Sequence, residues 1–512
     1  MIDRRRFLRL LGRASAGALA ACAVPPSSAS PTPIGSPTPT ATPAPTITAR
    51  APDWAALVRA LKGELVRPTD AAYDASRVLY NTRFDAIRPQ AVARCASSDD
   101  VRACVGFAKQ TGVPLALRSG GHGYGGWSTG LGLVVDTGPL NGIEIQPGRA
   151  VIGAGARLID VYATLAPAGV PGGSCATVGI AGLALGGGIG VLSRSWGLTC
   201  DDLVAAEIVT ADARVLTCDE QREPDLFWAL RGGGGSFGVV TSLTFRTHAT
   251  APLALGFLSW PWSVASEVIG TWQGWQRQGP DALWSNLHLD VTAAGPSLTL
   301  YAVYAGDMAG LRAQLDRLDA SLCRRASRGT QTSTYLDVML LDAGCAGRTA
   351  SQCHLRGQTP DGQLERETYA AKSIVATAEL EADPVGALVS GIEAPPPGTS
   401  ASVIYDALGG AIARVAPDAT AFPHRSALGV LQFIVSWADA SREADALSWL
   451  RAYHASVRAT SATAAYANYA DPDLADWPQA YYGANYARLQ RVKRAYDPSE
   501  LFAFPQAVRP AS

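Results

Sequence analysis

Apolar and polar positions follow a helical spacing around residue 100 and then give way to short continuous apolar runs. The spacing predicts a helix over residues 98–112, with two aspartates in its first turn. Its apolar face consists of Val101, Cys104, Val105 and Ala108. Two short buried strands, over 113–118 and 133–136, follow it. This order places the glycine-rich residues 119–123 in a loop directly after a buried strand.

The pattern continues with mixed elements from residue 150 to about residue 248. It predicts a strand over 150–155 and a helix over 158–166 that ends at Pro167. A hairpin is predicted from 203–210 and 214–217, then a helix over 225–230 and a strand over 239–246. Because strands and helices intermingle, this part of the chain is an α+β or α/β body.

Residues 251 to about 470 have a different pattern of apolar and polar positions. Residues 285–291 and 297–304 alternate between apolar and polar side chains, as half-buried strands do, whereas 308–323 and 441–457 have helical periodicity. We expect an antiparallel sheet with helices on one face, whose other face is suited to a substrate. The last region, 484–505, reads as a helix that ends at Asp497-Pro498.

The N-terminal residues predict export rather than folded structure. Arginines at 4–6 precede a short apolar run, which is typical of a secretory signal over 1–22, and the paired arginines resemble a twin-arginine signal. An ordinary secretory signal is the alternative. Leu19-Ala20-Ala21-Cys22 resembles a lipobox, and the Pro/Thr-rich residues 23–49 predict a disordered tether. We therefore expect an extracytoplasmic protein whose only membrane contact is a lipid anchor.

Charge and cysteine content narrow the function classes further. The 43 basic and 44 acidic residues are balanced, so nucleic acid is not an expected partner. No CxxC pair or histidine cluster suggests a metal site. Among the nine cysteines, Cys95 with Cys104 and Cys345 with Cys353 are close enough in sequence to pair, although spacing alone cannot establish a disulfide.

Two nucleophilic side chains lie in loops that have almost no side-chain bulk. His122 closes the segment RSGGH, and Cys175 opens a glycine-rich stretch that ends at Gly190. Imidazole and thiolate readily bond to an electrophilic ring, and glycine lets backbone N–H groups approach a phosphate-bearing ligand. The pair predicts a flavin attached at two points and hence a redox enzyme. The dinucleotide-binding fingerprint that Gly153 and Gly155 begin is incomplete, because Leu158 holds its third glycine position, and residues 186–190 lack the Lys-Ser/Thr of a P-loop.

Several motifs occur together in one order: RSGGHGY at 118–124, GSCATVGIAG at 173–182, GGGIG at 186–190, GLTCD at 197–201, DLFWALRGGGGSFGVV at 225–240 and YYGANYARL at 481–489. In this order they resemble the berberine-bridge-enzyme-like flavin oxidases, which belong to the p-cresol methylhydroxylase/vanillyl-alcohol oxidase superfamily. The resemblance covers the chain from about residue 50 onward. It implies an α+β flavoprotein of two domains: an FAD-binding domain over 50–250, a substrate domain over 251–470, and a C-terminal segment, 471–512, that returns to the FAD domain.

The resemblance also implies roles for individual residues. FAD is expected to be covalently bound, with His122 on its 8α-methyl carbon and Cys175 on ring carbon C6. Tyr481 is the implied catalytic base, and Tyr124 an active-site tyrosine able to hydrogen-bond it, although Tyr482 is an alternative to Tyr481. The implied cofactor-binding residues are Arg118, Ser119, Gly120, Gly121, His122, Gly123, Gly173, Ser174, Cys175, Val178, Gly179, Gly182, Gly186, Gly187, Gly188, Gly190 and Asn485.

These expectations lead to an oxidase that passes a hydride from a substrate carbinol, in a carbohydrate or similar hydroxyl compound, to FAD. Val178, a small branched side chain in the position that lies over the flavin in relatives, favours O2 as acceptor, giving H2O2. Oxidative cyclisation or C–N/C–O oxidation of a secondary metabolite is an alternative, as is a surface binding protein without turnover. Trp284, His288, Tyr304 and Tyr405 are candidates to line the substrate pocket.

Overall fold

The computed structural model describes residues 51–512. The predicted signal over 1–22 and the predicted tether over 23–49 therefore lie outside the described residues, and both stay predictions.

A four-stranded sheet forms the first part of the described chain, in the order β1-β2-β4-β3. Strands β2, β4 and β3 are parallel, and β1 is antiparallel to β2. The helix predicted over 98–112 is confirmed, and it ends where Gly112 takes a φ of 71°. The elements are α1 (Trp54–Ala60), β1 (Glu64–Val66), α2 (Tyr73–Arg77), β2 (Ala91–Arg94), α3 (Ser98–Thr111), β3 (Leu115–Arg118) and β4 (Leu133–Asp136).

The second part is a five-stranded antiparallel sheet with the order β5-β6-β10-β8-β9. It contains the predicted hairpin as β8 and β9, and β7 pairs with β11 apart from it. The elements are β5 (Ile143–Gln146), β6 (Arg149–Gly153), α4 (Leu158–Leu165), β7 (Ala168–Gly169), α5 (Ile180–Leu185), α6 (Ser193–Trp196), β8 (Leu203–Val209), β9 (Val215–Cys218), α7 (Pro224–Leu230), β10 (Val239–Arg246) and β11 (His248–Ala249).

A seven-stranded sheet dominates the third part, in the order β15-β12-β14-β13-β17-β18-β16, and every neighbouring pair is antiparallel. The elements are β12 (Leu253–Trp260), α8 (Ala265–Gln278), β13 (Leu283–Thr292), β14 (Gly295–Tyr304), α9 (Met308–Ala320), β15 (Ser327–Ser333), α10 (Tyr335–Asp342), β16 (Tyr369–Ala376), α11 (Ala382–Ile392), β17 (Thr399–Ala407), β18 (Gly429–Trp437) and α12 (Glu443–Arg458).

The two faces of the seven-stranded sheet differ in chemistry. On β13, Leu287 and Leu289 belong to the large apolar core that also contains residues of the packed helices. Ser285, on the same face, accepts a hydrogen bond from the Trp272 indole of α8 at 2.8 Å. The alternate positions of β13, including Asn286 and His288, line a large cavity. The expected antiparallel sheet with helices on one face is confirmed, and its other face lines the cavity.

The end of the chain contacts the second part of the fold. Helices α13 (Trp477–Tyr482) and α14 (Tyr486–Tyr496) precede an irregular terminus. In α14, the fully buried Lys493 donates to the Ser236 carbonyl oxygen at 2.6 Å and to the fully buried Asp497 carboxylate at 2.6 Å. Phe502 packs in the core around the four-stranded sheet. The predicted domain boundaries at 250 and 470 stay predictions, whereas the α+β class is confirmed.

The cysteines divide as follows in residues 51–512. Cys345 and Cys353 form a disulfide, which confirms that this pair is joined. The buried thiols of Cys95 and Cys104 lie 4.0 Å apart, within hydrogen-bond distance, and do not form a disulfide. Within the same residues, no helix has the length and apolarity to cross a bilayer, and no cluster of potential metal ligands occurs.

Candidate active site

The loop that carries His122 begins at the end of β3, where Arg118 anchors it. The Arg118 guanidinium pairs with Asp136, at the end of β4, at 2.9 Å, and both side chains are largely buried. One guanidinium nitrogen, Nη1, is buried and has no hydrogen-bond partner among the described residues. A buried N–H group without a partner costs free energy, so this atom is suited to a polar ligand in the adjoining cavity.

The loop that carries Cys175 is fixed to the start of α4. The backbone N–H groups of Leu158 and Ile159 donate to the carbonyls of Val178 and Ala176, each at 3.0 Å. These bonds satisfy N–H groups at the helix N-terminus that have no partner within the helix. Cys175, one residue before this anchored stretch, is exposed and lines the cavity. The thiol therefore sits on a short, well-supported loop.

The two loops touch each other. A Cβ added to Gly120 would lie 2.1 Å from the backbone nitrogen of Gly179, so only glycine permits this approach. His122 Nε2 lies 2.8 Å from the hydroxyl of Thr177, two residues after Cys175. The sequence thus places the imidazole and the thiol in neighbouring loops at one end of a single cavity.

The environment of His122 favours its neutral form. Burial, assisted by the positive charge of Arg157, lowers the pKa of His122 to about 3, although a hydrogen bond to the Thr177 backbone opposes the shift. The ring of Tyr80 stacks on the imidazole, with centroids 4.1 Å apart and planes 19° apart. A neutral imidazole keeps a lone pair at neutral pH, which a nucleophile requires.

The cavity between these loops and the seven-stranded sheet has a volume of about 2140 Å³, well above the range of about 300–1,000 Å³ typical of small-molecule sites. Gly187, Gly188 and Asn485 are not among its lining residues; the Asn485 amide donates instead to the carbonyls of Pro417, Thr420 and Ala421. The predicted residues that line it are Arg118, Ser119, Gly120, Gly121, His122, Gly123, Tyr124, Gly173, Ser174, Cys175, Val178, Gly179, Gly182, Gly186, Gly190 and Tyr481.

The lining fits FAD on four observations. The unpartnered Nη1 of Arg118 supplies a donor, and glycines at 182 and 235 face open space, since a Cβ there would meet nothing within 4 Å. The neutral His122 ring and the Cys175 thiol supply nucleophiles at one end. The volume leaves room for a substrate beside the cofactor. His122, Cys175 and Arg118 are therefore the residues that would hold the group.

A cluster of tyrosines with one carboxylate lies beside the two loops, and sequence reasoning missed most of it. Tyr124 stacks on Tyr469 with centroids 5.4 Å apart and planes 7° apart, and meets Tyr369 edge-on at 5.4 Å. The amide of Gln432 donates to the Tyr124 hydroxyl. Burial, and after it the negative charge of Asp406, holds the pKa of Tyr469 well above its usual value.

The strand order explains why this cluster escaped detection. Asp406 follows Ile404 by two on β17, where the alternation puts both on the cavity side, and Asn286 of β13 donates to its carboxylate at 3.1 Å. Gln432 lies one strand further on β18, opposite Ile404. Tyr469 lies in the segment after α12. Nothing local in the sequence marks these residues, because pairing of distant strands brings them together.

Tyr481, the predicted base, has a different environment. Its hydroxyl accepts from the Asp471 backbone N–H at 2.9 Å and donates to Gln506 at 3.3 Å. Tyr124 is bonded to Gln432 and stacked on Tyr469, so the structure gives the Tyr124 hydroxyl a partner other than Tyr481. The role of Tyr481 stays a prediction.

The candidate substrate-pocket residues divide equally. Trp284 and His288 line the cavity on the polar side of β13. Tyr405 is buried on the helix side, where its hydroxyl donates to Gln273 of α8 at 3.1 Å, and Tyr304 packs against Gly306 and Gly310. Tyr405 lies on the opposite face of its strand, and Tyr304 lies at a strand end. The pattern of apolar and polar positions along a single strand does not show which face lines the cavity.

Comparison with known proteins agrees with this geometry. Residues 89–219 match the model of an FAD binding domain, and residues 465–509 match the berberine and berberine-like model. An uncharacterized FAD-linked oxidoreductase of Bacillus subtilis, YgaK, is 32% identical over 88% of this chain and 97% of its own length.

Two solved structures share the fold. Xylooligosaccharide oxidase from Myceliophthora thermophila C1, solved in complex with xylobiose, has a TM-score of 0.81 at 27% identity, covering 90% of this chain and 100% of that one. Glucooligosaccharide oxidase from Acremonium strictum, which carries a 6-S-cysteinyl, 8α-N1-histidyl FAD, has a TM-score of 0.79 at 24% identity, covering 90% of this chain and 99% of that one. From its sequence and fold together, this chain belongs to the berberine-bridge-enzyme-like FAD-linked oxidoreductases.

Proposed function

We propose that this enzyme is an oxidase that removes a hydride from a carbinol carbon of a carbohydrate or similar hydroxyl compound, with O2 as the electron acceptor and H2O2 as product. The observation that carries the proposal is the single cavity, which joins the His122 and Cys175 loops to the Tyr124–Tyr469 stack and to the polar face of the seven-stranded sheet. One side of this cavity suits a flavin and the other suits hydroxyl groups.

The proposed cofactor is FAD attached through both His122 and Cys175. The neutral imidazole and the exposed thiol lie on loops in van der Waals contact, and each loop is held by its own backbone bonds. The Arg118 Nη1 donor supports the same ligand. When bound, FAD accepts the hydride and passes its electrons to O2.

We propose Tyr469 rather than Tyr481 as the residue that takes the hydroxyl proton. Tyr124 and Tyr469 line the same cavity as His122 and Cys175, and Tyr124 follows His122 by two residues. Because their pKa values are raised, both hydroxyls are protonated at neutral pH. Tyr469 therefore acts as a relay: it receives the substrate proton as it gives its own to the Asp406 carboxylate. Gln432 holds the Tyr124 hydroxyl in place.

The polar sheet face supports a carbohydrate as substrate. Asn286, His288, Asp290 and Thr292 follow one another on the cavity side of β13 and offer donors and acceptors in a row, with the Trp284 ring at one end. Xylobiose, bound by a relative of the same fold, is a compound of this class. Sugars present many hydroxyls around apolar C–H faces, which such a combination of amides, carboxylates and an aromatic ring can bind.

A panel of reducing oligosaccharides, aromatic alcohols and cyclic amines, with H2O2 as the readout, tests this proposal. Peroxide formation with sugars supports it. Turnover confined to amines or to a ring-closing substrate would instead establish the alternative of secondary-metabolite oxidation. Loss of peroxide under nitrogen, restored by air, tests O2 as acceptor and the proposed part of Val178, which is half-buried in the cavity wall.

Export and lipid anchoring remain part of the proposal. The supporting features are the arginines at 4–6, the sequence Leu19-Ala20-Ala21-Cys22 and the uncharged tether. Expression in a bacterial host followed by fractionation tests it: the full chain is expected with membranes, and the Cys22→Ala variant in the membrane-free extract. Equal partitioning of both would contradict the anchor.

A further inference from the structure

Thr177 is the side chain that connects the two nucleophile loops. It is 2% exposed, and its hydroxyl lies 2.8 Å from His122 Nε2. The residues on either side, Ala176 and Val178, accept the backbone bonds from α4 that fix this loop. The hydroxyl is consequently held at a set position against one edge of the imidazole.

The face of the imidazole is also set. Tyr80 stacks on it at 4.1 Å, and the Tyr80 backbone N–H donates to the Gly121 carbonyl at 3.1 Å, so the stacking ring is fixed to the loop that carries His122. The imidazole has one face against Tyr80 and one edge against Thr177. Rotation about the side-chain χ1 or χ2 bond of His122 would therefore break one contact or the other. The orientation of the ring is therefore determined before any ligand binds.

The two contacts distinguish the two ring nitrogens. The Thr177 hydroxyl oxygen lies 2.8 Å from Nε2 and accepts a hydrogen bond when that nitrogen carries the N–H. In a neutral imidazole the other nitrogen, Nδ1, then keeps its lone pair. Burial beside Arg157 keeps the ring neutral at physiological pH.

From this geometry we infer that Thr177 is a positioning residue for attachment of the flavin to His122: it holds Nε2–H and so directs the bond to Nδ1. The inference rests on the proposed bicovalent FAD and adds the residue that selects the atom. In this inference Thr177 acts on the bond through the His122 ring.

The attachment step balances as follows. Nδ1 forms a bond to the 8α carbon, one C–H bond of that methyl group breaks, and its hydrogen leaves as a proton. The two electrons of the broken C–H bond remain on the flavin ring and are removed by O2, the acceptor of the proposed reaction. The O2 takes up the methyl proton and the proton that Nε2 loses once Nδ1 is bonded, and it leaves as H2O2. A hydrogen bond from Nε2–H to Thr177 stabilises the positive charge that develops on the ring as Nδ1 attacks.

The Cys175→Ala background makes the histidyl bond the only covalent link, so retention of flavin on denatured protein measures it directly. In that background, Thr177→Ser keeps a hydroxyl and Thr177→Val removes it with little change in volume. Apoprotein of each full-length variant is mixed with FAD, and flavin bound after denaturation is followed in time. Losing one hydrogen bond slows attachment about fivefold in Thr177→Val, and Thr177→Ser is expected to match the parent.

A second readout is the identity of the bond. Complete digestion releases histidylflavin, which is separated against authentic N1- and N3-linked standards. The parent and Thr177→Ser should give the N1 isomer, the Nδ1 adduct, whereas Thr177→Val should add the N3 isomer. An N3 bond in the parent, or an unchanged rate and isomer ratio in Thr177→Val, would overturn the inference.

The outcomes separate the inference from the proposed function. A wild-type protein that releases all its flavin on denaturation defeats the bicovalent proposal. A bicovalent wild type whose Thr177→Val variant behaves identically defeats only the part given to Thr177. Should Thr177→Val fail to fold, Thr177→Ala in the same background removes the hydroxyl in its place, and a rate and isomer ratio equal to those of Thr177→Ser would overturn the inference.

Discussion

Replacing Tyr469 by phenylalanine tests which tyrosine takes the substrate proton. The substitution removes one hydroxyl and keeps the ring that stacks on Tyr124 at 5.4 Å. Proton transfer by a positioned side chain contributes roughly 10²–10⁴ in rate, which corresponds to about 2.7–5.5 kcal/mol of barrier at 1.36 kcal/mol per decade. We expect hydride transfer in Tyr469→Phe to slow by that factor.

Tyr481→Phe is the matched control. Its hydroxyl accepts from the Asp471 N–H and donates to the Gln506 side-chain oxygen, so the variant removes the hydrogen-bond partner of one buried donor and of one buried acceptor. The expected cost is about 1–3 kcal/mol of folding free energy, with hydride transfer close to that of the wild type. The two variants thus separate a loss of chemistry from a loss of stability.

The assay is anaerobic rapid mixing with substrate, followed by the bleaching of the oxidised flavin. Reoxidation by O2 is recorded separately, so that only the proton-coupled half of the cycle is compared, and each variant is first shown to contain FAD. Tyr469→Phe bleaching at the wild-type rate, with Tyr481→Phe slowed a hundredfold or more, would refute the reasoning and return the base to Tyr481.

Two further predictions concern stability. Lys493→Met leaves the buried Asp497 carboxylate without its cation, which should cost about 3–5 kcal/mol of folding free energy. The urea midpoint of this variant should fall sharply, while that of the exposed neighbour variant Arg494→Met stays near wild type. Equal midpoints for the two variants would contradict a stabilising role for the buried ion pair. Burial also lowers the pKa of His424 and His454 to about 4. Below pH ~6.5 the unfolded chain protonates these imidazoles and the folded chain does not, so stability should fall by up to about 1.4 kcal/mol per pH unit for each, until pH ~4. A urea midpoint that stays constant from pH 7 to pH 5 would contradict this.

The glycine loops were predictable because their function depends on local sequence. The glycine-rich residues around His122 and Cys175 predict a close approach of the backbone to another group. At Gly120 the structure shows this approach, since an added Cβ would lie 2.1 Å from the backbone nitrogen of Gly179. Regular elements were also predictable wherever periodicity was strong, as in the helix over 98–111, which Ser97 caps at its start and Gly112 ends. Ends shifted where proline intervenes: the strand predicted from 113 begins at Leu115, after Pro114.

The remainder of the site depends on pairing between distant segments. Asp406 and Asn286 meet because β17 lies beside β13, an order that alternation along either strand does not specify. Asn485 illustrates the converse. Asn485 belongs to the same motif as Tyr481, the predicted base. Its amide nevertheless donates to carbonyls within residues 417–421, a loop more than 60 positions away in sequence. The family resemblance identified the segment that contains Asn485, but only the packed structure shows that its side-chain amide donates to backbone carbonyls.

The central claim is that one FAD is bonded to the chain at two points. The intact mass of denatured full-length protein tests it most directly in the wild type, His122→Ala, Cys175→Ala and the double variant. Two-point attachment predicts that the wild type and both single variants keep the added mass of one FAD, whereas the double variant loses it. A wild-type chain of unmodified mass, or a single variant that sheds all its flavin, would contradict the claim.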